Sequence, residues 1–418
     1  MQVPLPAPLA GGALAAVELG YWGAKAIVIH QGPTGLLTVV GTARVRWRAG
    51  ADGITQWPPE EQLVAASEAL QLALEEGAAL AARTLEPHVL LCLIPCEHVR
   101  LVAGEAISEG ARPQDQARDE LRRLVLAALR CALGAVAADG ANEQEPQRLL
   151  GVIDVCFYAA GQGRLSAPVY LHGMPLRCRA WVALAAESLL ARLRAWARSA
   201  GARCVHFLPG WSWIFRVARE LAPGLLLDCG AGALRAYVLR DSSEGLCKVE
   251  RRAGGAYFAR WLMLAYGLSP ASAERVALHY ATGQLPERLS RRVRRVFTKA
   301  LNAACDRLVE GLREYAPLPG RVWLTGGCRE LPEMQQLVDK LARRAPHLWE
   351  RWPQAERLPL ESLCRRVLPG PAHLDPAFEG LTLSVDDWAW KADSAEHALV
   401  GRRDLAHLGK RFGLEVEP

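Results

Sequence analysis

The alternation of apolar and polar positions predicts two β-hairpins of the same kind in distant parts of the chain. In residues 15–29 an apolar strand ends in Glu18, a glycine turn follows, and a second apolar strand leaves. In residues 225–239 an apolar run ends in Asp228, and alternation resumes after another glycine turn. Each pattern indicates two strands joined by a tight turn, with a carboxylate at the end of the first strand.

A third glycine turn is predicted in residues 321–332, where Gly326 and Gly327 separate a buried strand from a helix that begins near Pro332. Glycines leave backbone N–H groups uncovered, and such groups form concave anion sites, as a helix N-terminus does. The repeated hairpin predicts a duplicated domain, because self-similarity within a chain is the signature of repeated structure. We expect the two hairpin turns to face each other across a cleft, with the third turn beside them.

The rest of the pattern predicts strands that alternate with long helices. Apolar residues at helical spacing predict helices at residues 60–85, 114–133, 185–199 and 286–315, and a last helix beginning in residues 375–383. Short apolar runs predict strands at residues 36–45, 89–94, 149–158, 166–171, 174–184 and 204–209. The aromatic residues within 211–215 are predicted to pack in a core.

Composition limits the class of protein. The chain has 418 residues, of which 51% are hydrophobic and 22% charged, enough for two core-forming domains. The net charge of +6 is mild, and the basic cluster at residues 291–295 is interpreted as a solvated helix face, so no nucleic-acid partner is predicted. The eleven cysteines contain no CxxC pair and are interpreted as small buried side chains of a reducing compartment. No signal peptide or membrane-spanning segment is predicted, so we expect a cytoplasmic protein, free or on the inner membrane surface.

The two acid–glycine hairpins and the Gly-Gly turn resemble the nucleotide-binding loops of the actin-like ATPase superfamily, and within it the bacterial cell-division family FtsA. The resemblance extends over most of the chain. It implies an α/β, actin-like (ribonuclease H-like) fold of duplicated domains, with a small inserted α+β domain of the SHS2 type found in FtsA and PilM. It places phosphate loop one at residues 18–25, phosphate loop two at 228–235 and an adenosine loop at 324–328.

The same resemblance implies a set of nucleotide-binding residues. Gly254 and Gly255 correspond to the entry of the helix that follows loop two, and Glu274 to the residue that reaches the ribose. The full set is Glu18, Gly20, Tyr21, Trp22, Lys25, Asp228, Gly230, Gly232, Ala233, Arg235, Gly254, Gly255, Glu274, Gly326, Gly327 and Cys328.

The resemblance also divides the chain into domains. Residues 12–103 and 181–223 would form the first actin-like domain, interrupted by an inserted domain at 104–180. Residues 224–255 and 317–390 would form the second actin-like domain, with a helical subdomain at 256–316. Residues 391–418 would form a C-terminal tail. Within it Leu405, Leu408 and Phe412 share one face among basic residues, which predicts either a short amphipathic helix in contact with a membrane or a frayed end.

Phosphate loop two departs from the family pattern Asp-x-Gly-x-Gly-Thr-x-Asp. Asp228, which in the family holds a magnesium ion through water, is kept, whereas Ala233 replaces the Thr and Arg235 replaces the last Asp. An Asp-to-Arg change alters the charge by two units beside the metal, and each unit pair a few Å apart is worth about 4 kcal/mol at an effective dielectric near 20. We therefore expect Mg²⁺ to be disfavoured, with Arg235 standing in for the metal. ATP would be bound with weak or no hydrolysis, or not bound.

Phosphate loop one departs as well. Tyr21 takes the place of a small hydroxyl residue, Trp22 follows it, and Gly23 replaces the family lysine, for which Lys25 is the candidate substitute. As an alternative, Tyr21 and Trp22 fill the phosphate pocket and prevent nucleotide binding altogether.

Three functions follow from the resemblance. The first is a divergent FtsA-like scaffold that polymerises through the inserted domain and links FtsZ or another division protein to the membrane. The second is a PilM-like cytoplasmic adaptor of a type IV pilus or secretion assembly. The third is an active ATPase of the actin/Hsp70 superfamily, which the altered loops disfavour. On the first two interpretations the protein is not an enzyme.

Overall fold

The computed structural model describes residues 12–20, 23–31, 37–47, 58–108, 117–139, 145–159, 165, 175–240, 247–251, 253–370, 375–393, 400 and 402–417. Its strands are β1 (Gly12–Leu19), β2 (Gly23–Gln31), β3 (Leu37–Arg46), β4 (Glu86–Ile94), β5 (Arg100–Ser108), β6 (Gln147–Ala159), β7 (Leu176–Ala186), β8 (Cys204–Pro209), β9 (Gly224–Cys229), β10 (Leu234–Leu239), β11 (Cys247–Arg251), β12 (Arg321–Thr325), β13 (Gln354–Arg357), β14 (Val367–Leu368) and β15 (Glu415–Val416). Its helices are α1 (Glu60–Ala81), α2 (Ala117–Asp139), α3 (Glu187–Ser199), α4 (Trp213–Leu221), α5 (Gly255–Tyr266), α6 (Pro270–Ala281), α7 (Glu287–Leu312), α8 (Pro332–Gln335), α9 (Leu337–Arg344), α10 (Leu360–Leu363), α11 (Glu379–Asp393) and α12 (Arg402–Arg411).

The two main sheets repeat one topology. In the first sheet β1 is antiparallel to β2 and parallel to β4, β2 is antiparallel to β3, and β4 is parallel to β8. In the second sheet β9, β10, β11, β12 and β13 take these same places with the same directions. The predicted duplication is confirmed, because five strands in one order and one set of directions occur twice.

Each sheet is covered on both faces, as mixed sheets with long apolar strands require. Helices α1 and α3 pack on one face of the first sheet and α11 on the other. In the second sheet α5, α6, α7 and α9 cover one face, while α4 and α10 cover the other. The predicted core packing of residues 211–215 is found in α4, since Phe215 joins the core of the first sheet and Trp213 and Ile214 join that of the second.

The inserted domain is a smaller sheet with one helix. Its strands lie in the order β15, β6, β7, β5, and α2 packs against β5 and β7. Its core contains residues from α2, β6 and β7, including Leu129, Phe157 and Val182. Along the chain these elements follow as a strand (β5), a helix (α2) and two strands (β6 and β7). The predicted strand at 166–171 lies outside the described residues.

The C-terminal segment corrects a prediction. Helix α12 forms, but the face expected to meet a membrane turns toward the inserted domain: Leu408 is buried in its core, and Leu405 and Phe412 are partly buried against it. Strand β15 then pairs with β6 in parallel. The apolar face is therefore buried within the protein, where it removes more apolar surface from water than a frayed end would.

Residues 367–393 contact both main sheets. Strand β14 pairs with β3 of the first sheet. Helix α11 packs against Leu14 and Leu91 of that sheet, and its Leu383 joins the core of the second sheet. The chain thus returns to the first domain before it reaches the inserted domain for the last time.

Two further expectations concern membranes and cysteines. None of the described helices combines the length and apolarity needed to cross a bilayer.

Among the cysteines whose side chains are described, none forms a disulfide, and Cys92, Cys156 and Cys229 are buried as predicted. Cys131 and Cys204 are exposed instead.

Candidate functional site

Phosphate loop one is closed by an ion pair within its own hairpin. Glu18 and Lys25 stand opposite each other in the β1–β2 register, and Lys25 Nζ lies 2.7 Å from Glu18 Oε2. The Gly20 N–H donates to the Gly23 carbonyl at 2.9 Å. The carbonyl of Gly20 accepts a bond from Gln62 Nε2 at 2.8 Å. The loop is thus held on one side by α1, and its cation already has a carboxylate partner.

The structure explains why loop one lacks the family lysine. A Cβ atom at Gly23 would lie 2.3 Å from the Val45 carbonyl oxygen of the neighbouring strand, closer than real Cβ contacts permit. The position can therefore hold only glycine while β2 and β3 stay paired. Tyr21 and Trp22, the residues predicted to approach or plug the phosphate pocket, lie outside the described residues.

In phosphate loop two, Arg235 forms ion pairs with two carboxylates. The β9–β10 register sets Arg235 opposite Asp228, and Arg235 Nη1 lies 3.5 Å from Asp228 Oδ2. The Arg235 Nε contacts Glu250 Oε2 at 3.2 Å. One arginine therefore faces two carboxylates. The side chain of Ala233 is buried and offers no hydroxyl.

Loop two lies directly on the N-terminus of α5. The N–H of Gly255 donates to the Gly230 carbonyl at 3.1 Å, and that of Ala256 to the Ala231 carbonyl at 2.8 Å. A Cβ at Gly254 would lie 2.3 Å from the Gly230 oxygen, so this approach requires glycine. Within the described part of the chain, the N–H groups of Ala231 and Gly232 donate to no backbone carbonyl.

The third loop meets loop two from the other side. Gly326 has a φ of 85°, and a Cβ there would lie 2.7 Å from Asp228 Oδ1. Cys328 Sγ donates to the Gly230 carbonyl at 3.3 Å, and burial raises the pKa of the Cys328 thiol to about 12. Position 326 thus requires glycine for its backbone conformation as well as for space.

The three loops lie close to one another. Burial raises the pKa of the Asp228 carboxyl, while the positive charges of Arg235 and Lys25 lower it and Glu18 raises it, so loop one acts electrostatically on loop two. Lys25 Nζ also donates to the Ala377 carbonyl at 2.9 Å, and a Cβ at Gly327 would lie 3.5 Å from the Ala377 Cβ. The predicted residues of the three loops therefore converge.

Glu274, the predicted ribose residue, has a different partner. It forms an ion pair with Arg46 at the end of β3, which joins the helical subdomain to the first domain. The Glu274 carboxylate thus meets a cationic side chain of the protein.

Four residues at the site were not foreseen from the sequence: Gln62, Arg46, Ala377 and Glu379. Glu379 at the start of α11 accepts from Thr325 Oγ1 at 2.7 Å and from Arg329 Nη1 at 2.5 Å, which connects the third loop to the first domain. Gln62 carried a signal, because it is a polar residue on the buried face of α1. Ala377 carried none, since it acts through its carbonyl.

The donor set does not fit a magnesium ion. Mg²⁺ requires oxygen ligands in octahedral geometry, usually from carboxylates and phosphates. Asp228 and Glu18 are the carboxylates of the two hairpin turns, and each faces a cation of the protein. Among the described residues no group of three or more His, Cys, Asp or Glu side chains is arranged to hold a metal.

Comparison with known proteins identifies the fold. No family model matches the sequence, and no curated protein matches it. The PilM–PilN type IV pilus biogenesis complex contains a chain that is 17% identical, with a TM-score of 0.55 over 90% of this chain and 98% of that one. The ethanolamine utilization protein EutJ from Carboxydothermus hydrogenoformans gives 13% identity and a TM-score of 0.44, covering 92% of each chain. The MamK double helical filament contains a chain that is 10% identical, with a TM-score of 0.43 over 90% of this chain and 98% of that one. These are proteins of the actin-like ATPase fold, and the likeness to PilM shows that this chain has that fold.

Proposed function

We propose that this protein is a non-hydrolysing actin-like adaptor whose cleft is stabilised by its own ion pairs instead of by magnesium and nucleotide. One observation carries the proposal: Arg235 lies between Asp228 and Glu250, in the place of a family acid. Hydrolysis of ATP by proteins of this kind depends on a metal that bridges the phosphates. An arginine in that place supplies positive charge but neither Lewis acidity nor a metal-bound water.

The charges of the cleft support this proposal. The cations Lys25 and Arg235 face the carboxylates of Glu18, Asp228 and Glu250, so the positive charge that would attract a triphosphate is already compensated. A divalent cation near Arg235 would meet repulsion of about 4 kcal/mol per unit charge pair at 4 Å and an effective dielectric of 20. The N–H groups of Ala231 and Gly232 remain as phosphate donors. Nucleotide bound there would be held without metal.

For the cellular role we propose a PilM-like adaptor of a membrane-associated assembly, such as a pilus or secretion machine. The likeness to PilM, a protein seen in complex with PilN, supports this role over nearly the whole chain. The alternative, an FtsA-like link between FtsZ and the membrane, relied on the C-terminal helix as an anchor. That helix packs into the inserted domain, so the adaptor role stands first.

A titration with and without metal tests the chemistry. We expect calorimetry to show that ATP affinity is the same with magnesium and with EDTA, and that no phosphate is released. The double variant Ala233→Thr, Arg235→Asp restores the family residues and should gain magnesium-dependent binding. Arg321→Asp, at an exposed position on the far end of β12, controls for the charge change alone. Phosphate release by the unaltered protein that Asp228→Ala abolishes would refute the proposal.

A separate experiment tests the role. Peptides from the cytoplasmic segments of membrane proteins encoded beside the gene would be titrated against the full chain. Binding of a segment from a pilus or secretion component supports the adaptor role. Binding of FtsZ, with none of these peptides bound, would favour the division role instead.

A further inference from the structure

The positive charge of the protein is concentrated in its helical subdomain. Residues 256–316 contain ten basic and five acidic residues, so most of the formal charge of +6 belongs to this segment. Helices α5, α6 and α7 of this segment cover one face of the second sheet. All of the basic residues of the segment except Arg307 are exposed, so its positive charge lies on the surface of the molecule.

Half of these cations occupy one face of α7. Arg288, Arg291, Arg292, Arg295 and Lys299 follow the spacing i, i+3, i+4, i+7 and i+11, which places them along one side of the helix. All five are exposed. Arg291 lies 3.7 Å from Glu287, and both of these side chains extend far into solvent. The opposite side of the helix, with Val293, Phe297 and their successors, is buried in the domain core, so the cationic face points outward.

The placement of these charges opposes the helix dipole. Cations are favourable near the C-terminus of a helix and unfavourable near its N-terminus. Helix α7 has the reverse arrangement, with arginines in its first two turns, a single acid in the first turn and no basic residue in the last turn. Such a distribution reduces helix stability, so helix formation does not account for it.

Apolar side chains stand beside the cations. Leu289 is exposed between Arg288 and Ser290. The Tyr266 hydroxyl at the end of α5 donates to the Arg292 carbonyl at 3.1 Å, which sets the exposed ring against the basic helix. Leu264, in the last turn of α5, is 76% exposed. Arginine, tyrosine and leucine together are the side chains that surface-bound helices place at the level of lipid headgroups.

We propose that this α7 basic face, formed by Arg288, Arg291, Arg292, Arg295 and Lys299 with Leu289 and Tyr266, binds an anionic membrane surface. Clusters of four or more cations are attracted to the negative potential of anionic lipids, and neighbouring apolar groups enter the headgroup region. The charge of a nucleic acid would be equally complementary to these cations. A nucleic acid, however, would offer the exposed side chains of Leu289 and Leu264 no apolar environment in which to be buried. The proposal does not depend on the proposed function, and it supplies the membrane contact that α12 does not.

Co-sedimentation with vesicles tests the proposal. The full chain should bind vesicles of phosphatidylcholine with phosphatidylserine and not vesicles of phosphatidylcholine alone. The variant Arg288→Gln, Arg291→Gln, Arg292→Gln, Arg295→Gln should bind on the order of a thousandfold more weakly. Its matched control is Arg118→Gln, Arg123→Gln, Arg130→Gln, Arg203→Gln, which removes four exposed arginines elsewhere. An equal loss in both variants would show a general effect of net charge and overturn the proposal.

A second variant distinguishes insertion of apolar side chains into the headgroup region from simple charge attraction. Tyr266→Ser with Leu289→Ser keeps every charge, and should leave a weaker binding that high salt abolishes completely. Circular dichroism of both altered proteins checks that the fold is kept, which we expect because all substituted positions are exposed. Unchanged binding by this variant, or tighter binding of the full chain to duplex DNA than to anionic vesicles, would overturn the proposal.

Discussion

Arg46 of β3 and Glu274 of α6 form an ion pair that joins the first domain to the helical subdomain. Arg46 is 45% exposed, whereas Glu274 is 11% exposed. In a protein whose domains close on a ligand, the ligand supplies the contacts between the two sides. Here two side chains of the protein supply one of those contacts, so closure does not require a ligand.

Arg46→Gln should therefore open the cleft with little loss of stability. A half-exposed ion pair contributes about 0.2–1 kcal/mol to the free energy of unfolding. We expect faster hydrogen exchange in α6 and in the third loop, and a larger radius of gyration in X-ray scattering. Arg44→Gln is the control, because Arg44 pairs with Asp375 inside the first domain at 3.5 Å. Equal exchange rates in the two variants would show that the Arg46 pair does not hold the domains together.

Gly254→Ala should separate loop two from α5. The added methyl group would lie 2.3 Å from the Gly230 oxygen and 2.5 Å from the Ala231 oxygen, and neither backbone atom can move freely. We expect a loss of about 1–3 kcal/mol in unfolding free energy. Gly134→Ala in α2 is a matched control, since its Cβ would meet only Phe412 at 3.8 Å. That change should stabilise by up to about 1 kcal/mol through helix propensity. Denaturant unfolding of both variants measures the difference.

Asp386 is a buried carboxylate on which the return to the first sheet depends. Its Oδ1 accepts the N–H groups of Arg365 at 2.9 Å, Arg366 at 2.5 Å and Val367 at 2.8 Å, and Arg216 Nη2 lies 3.1 Å from Oδ2. Asp386→Asn should cost about 3–5 kcal/mol, because it removes the charge of the carboxylate that pairs with the buried Arg216.

Asp306→Asn serves as the comparison for Asp386. Asp306 also pairs with an arginine, Arg344 at 2.5 Å, but it is 69% exposed. Its substitution should cost less than about 1 kcal/mol. Thermal and denaturant unfolding would contradict this account if the two variants lost equal stability.

Stability should fall as the pH rises past the ordinary range of glutamate, because of Glu333. Burial raises the pKa of this carboxyl above its usual 4.5, and the Tyr280 hydroxyl, which donates to Oε1 at 2.6 Å, lowers it in part. Between the usual and the raised value the folded state holds more protons than the unfolded state. Its stability therefore decreases with pH there, by up to about 1.4 kcal/mol per unit.

Two variants distinguish this source of pH dependence. Tyr280→Phe removes the bond that favours the charged form, so the decrease should extend to higher pH. Glu333→Gln removes the titration, so that part of the slope should vanish. Urea unfolding at a series of pH values provides the measurement. A slope that Glu333→Gln leaves unchanged would assign the effect to another group.

Leu408→Ala should destabilise the inserted domain and leave membrane binding unaffected. Leu408 is buried in the core of the inserted domain, and truncation of such a leucine costs about 2–5 kcal/mol. His407→Ala, at the exposed neighbouring position, should cost little. Hydrogen exchange in α2 and β6 should increase only in the first variant. Weaker vesicle binding by Leu408→Ala would indicate that the C-terminal helix, and not α7, contacts the membrane.

The fold was predictable where local patterns repeat. The acid–glycine hairpins of Glu18 and Asp228 identified the two sheets, because turn glycines and strand alternation are read over a few residues. The sequence alone also showed an arginine at position 235 in place of an acid. The structure adds that Glu250 forms a second ion pair with this arginine. The roles of these residues toward a nucleotide stay predictions.

The remainder depends on long-range pairing. Nothing near Arg46 in the chain indicates that its partner is Glu274, and nothing near Gly23 shows that Val45 closes the space beside it. The amphipathic pattern around Leu408 was identified correctly, yet a membrane and a protein core select the same pattern. Only the packing of α12 on the insert distinguishes the two.

The return of the chain to the first sheet has a consequence for its synthesis. Because β14 and α11 complete that sheet, the face formed by Leu14, Ile27 and Leu91 has no cover until residues 367–393 have left the ribosome. Domains near an N-terminus usually fold while the chain is still growing. In this protein the first domain is translated first, but its sheet is completed only near the end of synthesis. One apolar face of that sheet therefore stays exposed during most of translation.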